Sequence, residues 1–195
     1  MAARYAKSPI RNEAAYQEKL RITREYFSAD SQVMEFGCGT GTTAISHAPF
    51  VEHILATDFS SKMLDIARGK AEAAGISNIA FECTSIDELA TDNQSFDVIM
   101  GHSILHLVED RDAVITKVHG LLKTGGYFIS STVCLDENLP ILKYVLPIGR
   151  LVGLVPLVRF FTGQQLIESV RQAGFEIAHQ WQPAKGSVFI VAKRI

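Results

Sequence analysis

Gly37, Gly39 and Gly41 stand at alternate positions in the run VMEFGCGTGTTA, residues 33–44. Between an apolar strand and a helix, such glycines present bare backbone at the carboxyl end of a sheet, where a ligand can press against it. Taken alone, the same loop reads equally well as a structural turn. Asp58 follows Gly37 by 21 residues, at the end of the next apolar run, HILATD. A carboxylate there can accept hydrogen bonds from both hydroxyls of a ribose; a lone strand-end aspartate would more often cap a helix. Coupled, loop and acid point to a nucleoside-containing ligand. A dinucleotide fingerprint requires GxGxxG/A, and Thr42 fills the place of its third small residue. His102 and His106 complete the chemistry-bearing set, since imidazole titrates near neutrality and can serve as a general base. Their stretch, HSILH, lacks the glutamate of HExxH, so no metal site is expected. The plain alternative is that Leu105, His106 and Leu107 start a helix and pack.

The elements that must position these residues alternate. Residues 13–27 read as an amphipathic helix with Ala15, Leu20, Ile22 and Phe27 inward and Glu, Lys and Arg on the outer face. Strands are expected at 33–36, 53–58, 79–83, 96–100 and 127–133. Helices are expected at 42–48, stopped by Pro49, at 62–74, capped by Ser60 or Ser61 and closed by Gly75, and at 111–122. A short helical turn near 86–89 and a turn at 123–126 fill two connections. This rhythm predicts a parallel sheet with helices on both faces. After a helix over 163–173, strands at 175–180 and 187–192 form a hairpin, so the last strand runs antiparallel to its neighbours.

These motifs resemble the class I S-adenosylmethionine-dependent methyltransferases, whose first motif is close to (V/I)LExGCGTG. The likeness covers nearly the whole chain. ILATDFS is similar to the second acidic motif, SFDVI to the "sFDvV" strand, ILHLV to "vLHhv", LLKTGGY to "LLkpGGy" and RQAGF to "eAGF". It implies one Rossmann-like α/β domain, residues 1–195, with a mostly parallel seven-stranded sheet, helices on both faces and an antiparallel C-terminal hairpin. Residues 1–30 would be a helical cap and 135–162 an apolar insertion or lid. The resemblance further implies S-adenosyl-L-methionine as cofactor and S-adenosyl-L-homocysteine as product. Glu35 and the Gly37, Cys38, Gly39, Gly41 backbone would hold its methionine end. Asp58 would hold the ribose, and Phe59 and Met63 would pack the adenine. Ser85 stands where the family usually has a carboxylate facing the adenine amine; its hydroxyl and the Ile86 N–H would serve there. Gly101 and His102 would lie at the sulfonium, with His102 and His106 as candidate catalytic groups. Tyr5 would touch the cofactor carboxylate or pack the first helix, and for Tyr16 packing is the better reading.

Composition narrows the acceptor. The 195-residue chain has 19 Lys+Arg against 21 Asp+Glu, a net charge of −2. It lacks the basic footprint of a nucleic-acid binder, so a small-molecule methyl acceptor is expected. Cys38, Cys83 and Cys134 form no CxxC pair, and no apolar secretory region opens the chain, which together point to the cytoplasm. Residues 139–161 are apolar at 15 of 23 positions and carry only cations, Lys143, Arg150 and Arg159. Their longest charge-free run is eight residues, too short to span a bilayer. They read as broken helices on the core, or as a lid that admits an apolar acceptor or touches a membrane surface. Two function classes stand: an enzyme methylating a small, apolar molecule, and a cofactor-binding module with a scaffold or regulatory role. A nicotinamide-dependent reductase fits poorly, given Thr42 and the hairpin.

Overall fold

Local signals fix most element ends. The computed structural model describes residues 12–134 and 158–195. Asn12 opens α1 (Glu13–Arg24) by accepting a bond from the Ala15 N–H at 3.0 Å. The helix stops short of residue 27 because the Glu25 and Tyr26 N–H groups reach back only to Ile22 and Thr23. The two rings that follow leave the helix for other partners, Tyr26 against Tyr127 and Phe27 edge-on to His47.

Five strands then alternate with three helices: β1 (Gln32–Phe36), α2 (Thr42–His47), β2 (His53–Thr57), α3 (Ser61–Ala73), β3 (Ile79–Glu82), β4 (Phe96–His102), α4 (Arg111–Leu121) and β5 (Leu122–Val133). After α5 (Gly163–Gln172) come β6 (Phe175–Trp181) and β7 (Ser187–Arg194). The sheet order is β3-β2-β1-β4-β5-β7-β6, parallel from β3 to β5 and antiparallel on both sides of β7. The expected seven-stranded, mostly parallel sheet is the one observed. Alternate residues feed two cores. Met34, Phe36 and Phe128 face α4 and α5, while Val33, Ile54 and Met100 pack on the other side.

Residues 86–88 form the short helical turn expected there, closed by Leu89 N–H to the Ser85 carbonyl. Three local expectations change. Ser60 occupies the N-cap of α3 but its hydroxyl makes no cap bond. The 123–126 turn is an irregularity inside β5: Phe96 pairs with Leu122, and two residues on, Val98 pairs with Tyr127. Gly126 permits it, since a Cβ there would sit 2.8 Å from the Asp97 carbonyl. Nor are all the charges of α1 outward, because Lys19 turns inward toward the sheet.

The order of strands decides where a ligand goes. From β1 the chain winds outward through β2 and β3, then returns to β4 on the other side of β1. In such a sheet the crevice opens at the carboxyl ends of the strands where winding reverses.

Candidate functional site

A cleft of about 760 Å³ lies at that reversal, walled by α1, the loop after β1 and the ends of β4 and β5. Gly37 and Gly39 shape the loop for different reasons, both with left-handed φ, +65° and +55°. A Cβ on Gly37 would meet Ile104 at 2.7 Å, whereas one on Gly39 would meet nothing within 4 Å. Gly37 is thus required by packing, and Gly39 turns bare backbone to the cleft. Gly41 is the N-cap of α2. Cys38 ties the loop to β2 through its N–H and the Thr57 carbonyl at 2.9 Å. Burial, with Glu35 and Asp58 nearby, pushes its thiol well up, so it is no nucleophile at neutral pH.

Two acids flank the loop. Glu35, on β1, is 3% exposed, lines the cleft, and its Oε2 has no hydrogen-bond partner. Burial raises its pKa to about 8; the Ala44 N–H draws it down and Asp58 pushes it further up. Asp58 follows β2 and is also buried. Its Oδ2 accepts from the Gly39 N–H and its Oδ1 from the Ser60 N–H, both at 2.9 Å. Each carboxylate oxygen keeps a second acceptor position.

Of the remaining expected residues, His102 lines the cleft and His106 does not. Both Nδ1 atoms are buried without a partner. Burial first, then Lys19, lowers the His102 pKa to about 4. Burial also lowers His106, whose carbonyl accepts from the Arg159 N–H at 2.8 Å. Phe59 is 76% exposed beside Asp58, a free ring face, and Met63 is half-buried. Ser85 Oγ accepts from the Glu88 N–H at 3.3 Å, and the Ile86 side chain is in the core. Gly101 has a packing reason of its own, because a Cβ there would sit 2.4 Å from the Phe36 ring. Tyr16 lines the cleft with its hydroxyl 3.5 Å from Thr43 Oγ1. Tyr5 lies outside the described residues.

Lys19, Ser103 and Ser131 also line the cleft and were not singled out in the sequence. The Lys19 ammonium donates to Ser131 Oγ at 2.7 Å. A signal for Lys19 existed: it shares a helix face with Tyr16, Leu20 and Thr23 at i, i+3/4 spacing. Among the described residues no group of His, Cys, Asp and Glu could hold a metal ion, and no helix is long and apolar enough to cross a membrane.

Residues 27–186 match the family described as Methyltransferase domain. The chain belongs to that family. A ubiquinone biosynthesis O-methyltransferase of Ruegeria pomeroyi is 30% identical to this methyltransferase-family chain over 169 residues, 83% of this chain and 64% of that protein. A tRNA 5-carboxymethoxyuridine methyltransferase of Escherichia coli is 30% identical over 122 residues, 62% of this chain and 47% of that protein. The chain therefore spans between 47% and 64% of the length of these relatives. The crystal structure of an S-adenosylmethionine-dependent methyltransferase from Mesorhizobium loti shares the fold, with a TM-score of 0.76 at 23% identity, over 93% of this chain and 98% of that one.

Proposed function

We propose that this chain transfers a methyl group from S-adenosylmethionine to a small, apolar acceptor. One observation carries the cofactor: the buried Glu35 Oε2, without a partner, faces the cleft beside the open backbone of Gly39. A cationic amine is the chemistry such a carboxyl fits, so Glu35 would hold the methionine ammonium. Asp58 would accept the ribose hydroxyls on the positions that Gly39 and Ser60 leave open, and Phe59 would cover the base.

When bound, the cofactor would supply an electrophilic methyl group to the acceptor's lone pair, with sulfur as the leaving group and S-adenosylhomocysteine as the product. The residues contribute alignment, on the order of 7–11 kcal/mol where geometry is good. His102, neutral at pH 7, would contact the acceptor side without adding charge. His106, outside the cleft, would act through the 104–107 turn. Apolar acceptor character is supported by Leu20 and Ala15 on the α1 wall and by a net charge of −2, which gives no field to attract nucleic acid.

Isothermal calorimetry tests the cofactor. Binding of S-adenosylmethionine and S-adenosylhomocysteine, and none of NADH, is expected; tight NADH binding alone would overturn the reading. Release of S-adenosylhomocysteine with a panel of small apolar acceptors, and not with bulk tRNA, separates the enzyme from a scaffold role and from an RNA substrate.

A further inference from the structure

Lys19 is placed where a cation should not rest alone. Its ammonium lies in the cleft, half-buried, and its one bond shown is to the Ser131 hydroxyl. None of the ion pairs among the described residues includes it. Charges withdrawn from water are normally paired, and a hydroxyl uses one of three ammonium donors.

The surroundings are polar and strained. Ser131 pairs with His102 across the β4–β5 ladder, and His102 Nδ1 is buried without a partner. The next residue, Ser103, has φ +54°, one of two non-glycine residues with positive φ among those described. Its N–H is tied to the Ser131 carbonyl at 2.7 Å. Conformations of this kind are strained and collect at ligand sites.

The sheet order says which ligand end lies here. Asp58 follows β2, the glycine loop follows β1, and Ser131 is on β5, three strand steps from β2 at ~4.8 Å each. The adenosine of the cofactor would fill the β2–β1 side, with its methionine amine at Glu35 and its sulfonium reaching the end of β4. The β5 side is left to the acceptor.

We propose that Lys19, His102 and Ser131 form an oxyanion subsite that receives an ionised oxygen, carboxylate or phenolate, of the methyl acceptor. This rests on the cofactor and acceptor reading above and adds the charge of the substrate. The one carboxyl among the described residues of the cleft wall, Glu35, is mostly protonated at pH 7 in the free chain and would be paired with the cofactor's ammonium once it is bound, so in neither state does it neutralise Lys19. Burial lowers the Lys19 pKa, as expected of a cation without a counter-charge. An acceptor that arrives ionised has no proton to lose, which suits a cleft whose histidine is a weak base.

Benzoate and its neutral isostere benzamide probe the subsite, titrated into the full chain saturated with S-adenosylhomocysteine. Wild type is expected to prefer benzoate at least tenfold. Lys19→Met should abolish the preference, Lys19→Arg should keep it, and both should bind S-adenosylhomocysteine within twofold of wild type. Equal binding of the two probes by wild type, or a preference that survives Lys19→Met, overturns the subsite while leaving the apolar-acceptor reading intact. A tenfold loss of S-adenosylhomocysteine affinity in Lys19→Met with benzoate unaffected also overturns it, by assigning the charge to the cofactor's own carboxylate. If neither probe binds wild type, the apolar-acceptor reading fails and takes the subsite with it.

Discussion

The Asp58 carboxylate accepts the Gly39 N–H at 2.9 Å, so the acid after β2 clamps the loop after β1 at the residue whose backbone faces the cleft. The second oxygen holds the start of α3 through Ser60. Asp58 is therefore a brace for the loop as well as the proposed ribose contact.

Replacing Asp58 by Ala should weaken cofactor binding at least tenfold and also lower the melting temperature. Each lost bond to the carboxylate is worth about 1.5–3 kcal/mol. Asp58→Asn, which keeps one acceptor oxygen, should fall between. Calorimetry and thermal melts report the two effects separately. Unchanged affinity in a folded Asp58→Ala protein would place the nucleoside elsewhere.

Glu35 should link cofactor binding to pH. Its folded pKa of about 8 lies above the unfolded value near 4.3, so the folded chain holds a proton that the unfolded chain releases. Its contribution to stability is present in full below about pH 4 and is lost as pH rises toward 8 and beyond. Glu35→Gln should flatten that loss. A bound ammonium reverses the preference, because it favours the carboxylate. Cofactor binding near pH 7 should therefore release a proton, visible as a heat that changes with buffer ionisation enthalpy. Identical heats in phosphate and Tris would refute the link.

His47 sets the opposite limb. It is fully buried, neither ring nitrogen has a partner, and burial lowers its pKa to about 3. A depressed folded pKa contributes stability above the unfolded value near 6.5 that is lost as pH falls toward 3. His47→Leu removes two unsatisfied polar atoms and should hold or raise the melting temperature at pH 7. It should also reduce the loss at pH 5, and an unchanged acid limb would count against it.

Two glycines of the site separate packing from ligand contact. Gly101→Ala drives a methyl into the Phe36 ring and should cost about 1–3 kcal/mol of stability. Gly39→Ala meets open space and pays only for its positive φ, about 1–2 kcal/mol, but it should reduce cofactor affinity more than Gly101→Ala does. Equal affinity losses, scaled to stability, would return Gly101 to the cofactor contacts.

The legible parts of this chain were those with local causes. The Gly37–Gly41 spacing, Asp58 and the alternating apolar runs state the β–α–β order directly, because strand and helix periods are read within a few residues. The irregularity at 122–126 was not legible: it depends on Gly126 meeting Asp97 across the ladder. For Lys19 the shared face with Tyr16, Leu20 and Thr23 is legible, but its inward contact is not, because helical periodicity gives faces and not what lies beneath them. Ser131 lies 112 residues from its partner, and only the sheet order brings them together.

The apolar stretch 139–161 lies mostly outside the described residues, and its far end is built into the fold. Phe161 is 4% exposed within the α4–α5 core, with the Arg111 guanidinium 4.6 Å above its ring. Arg159, one of the three cations of that stretch, donates its guanidinium to the Glu109 carbonyl and its backbone N–H to the His106 carbonyl, both at 2.8 Å. Phe161→Ala should thus cost about 3–5 kcal/mol, as a buried aromatic does, with a matching fall in the denaturant midpoint. Arg159→Ala keeps the backbone bond to His106, leaves only the Glu109 carbonyl for water to reach, and should cost about 1 kcal/mol. Its larger effect should fall on turnover, because the 104–109 turn it ties down continues from His102 and Ser103 at the cleft. A Phe161→Ala chain with wild-type stability would show that this end is a detachable cover after all.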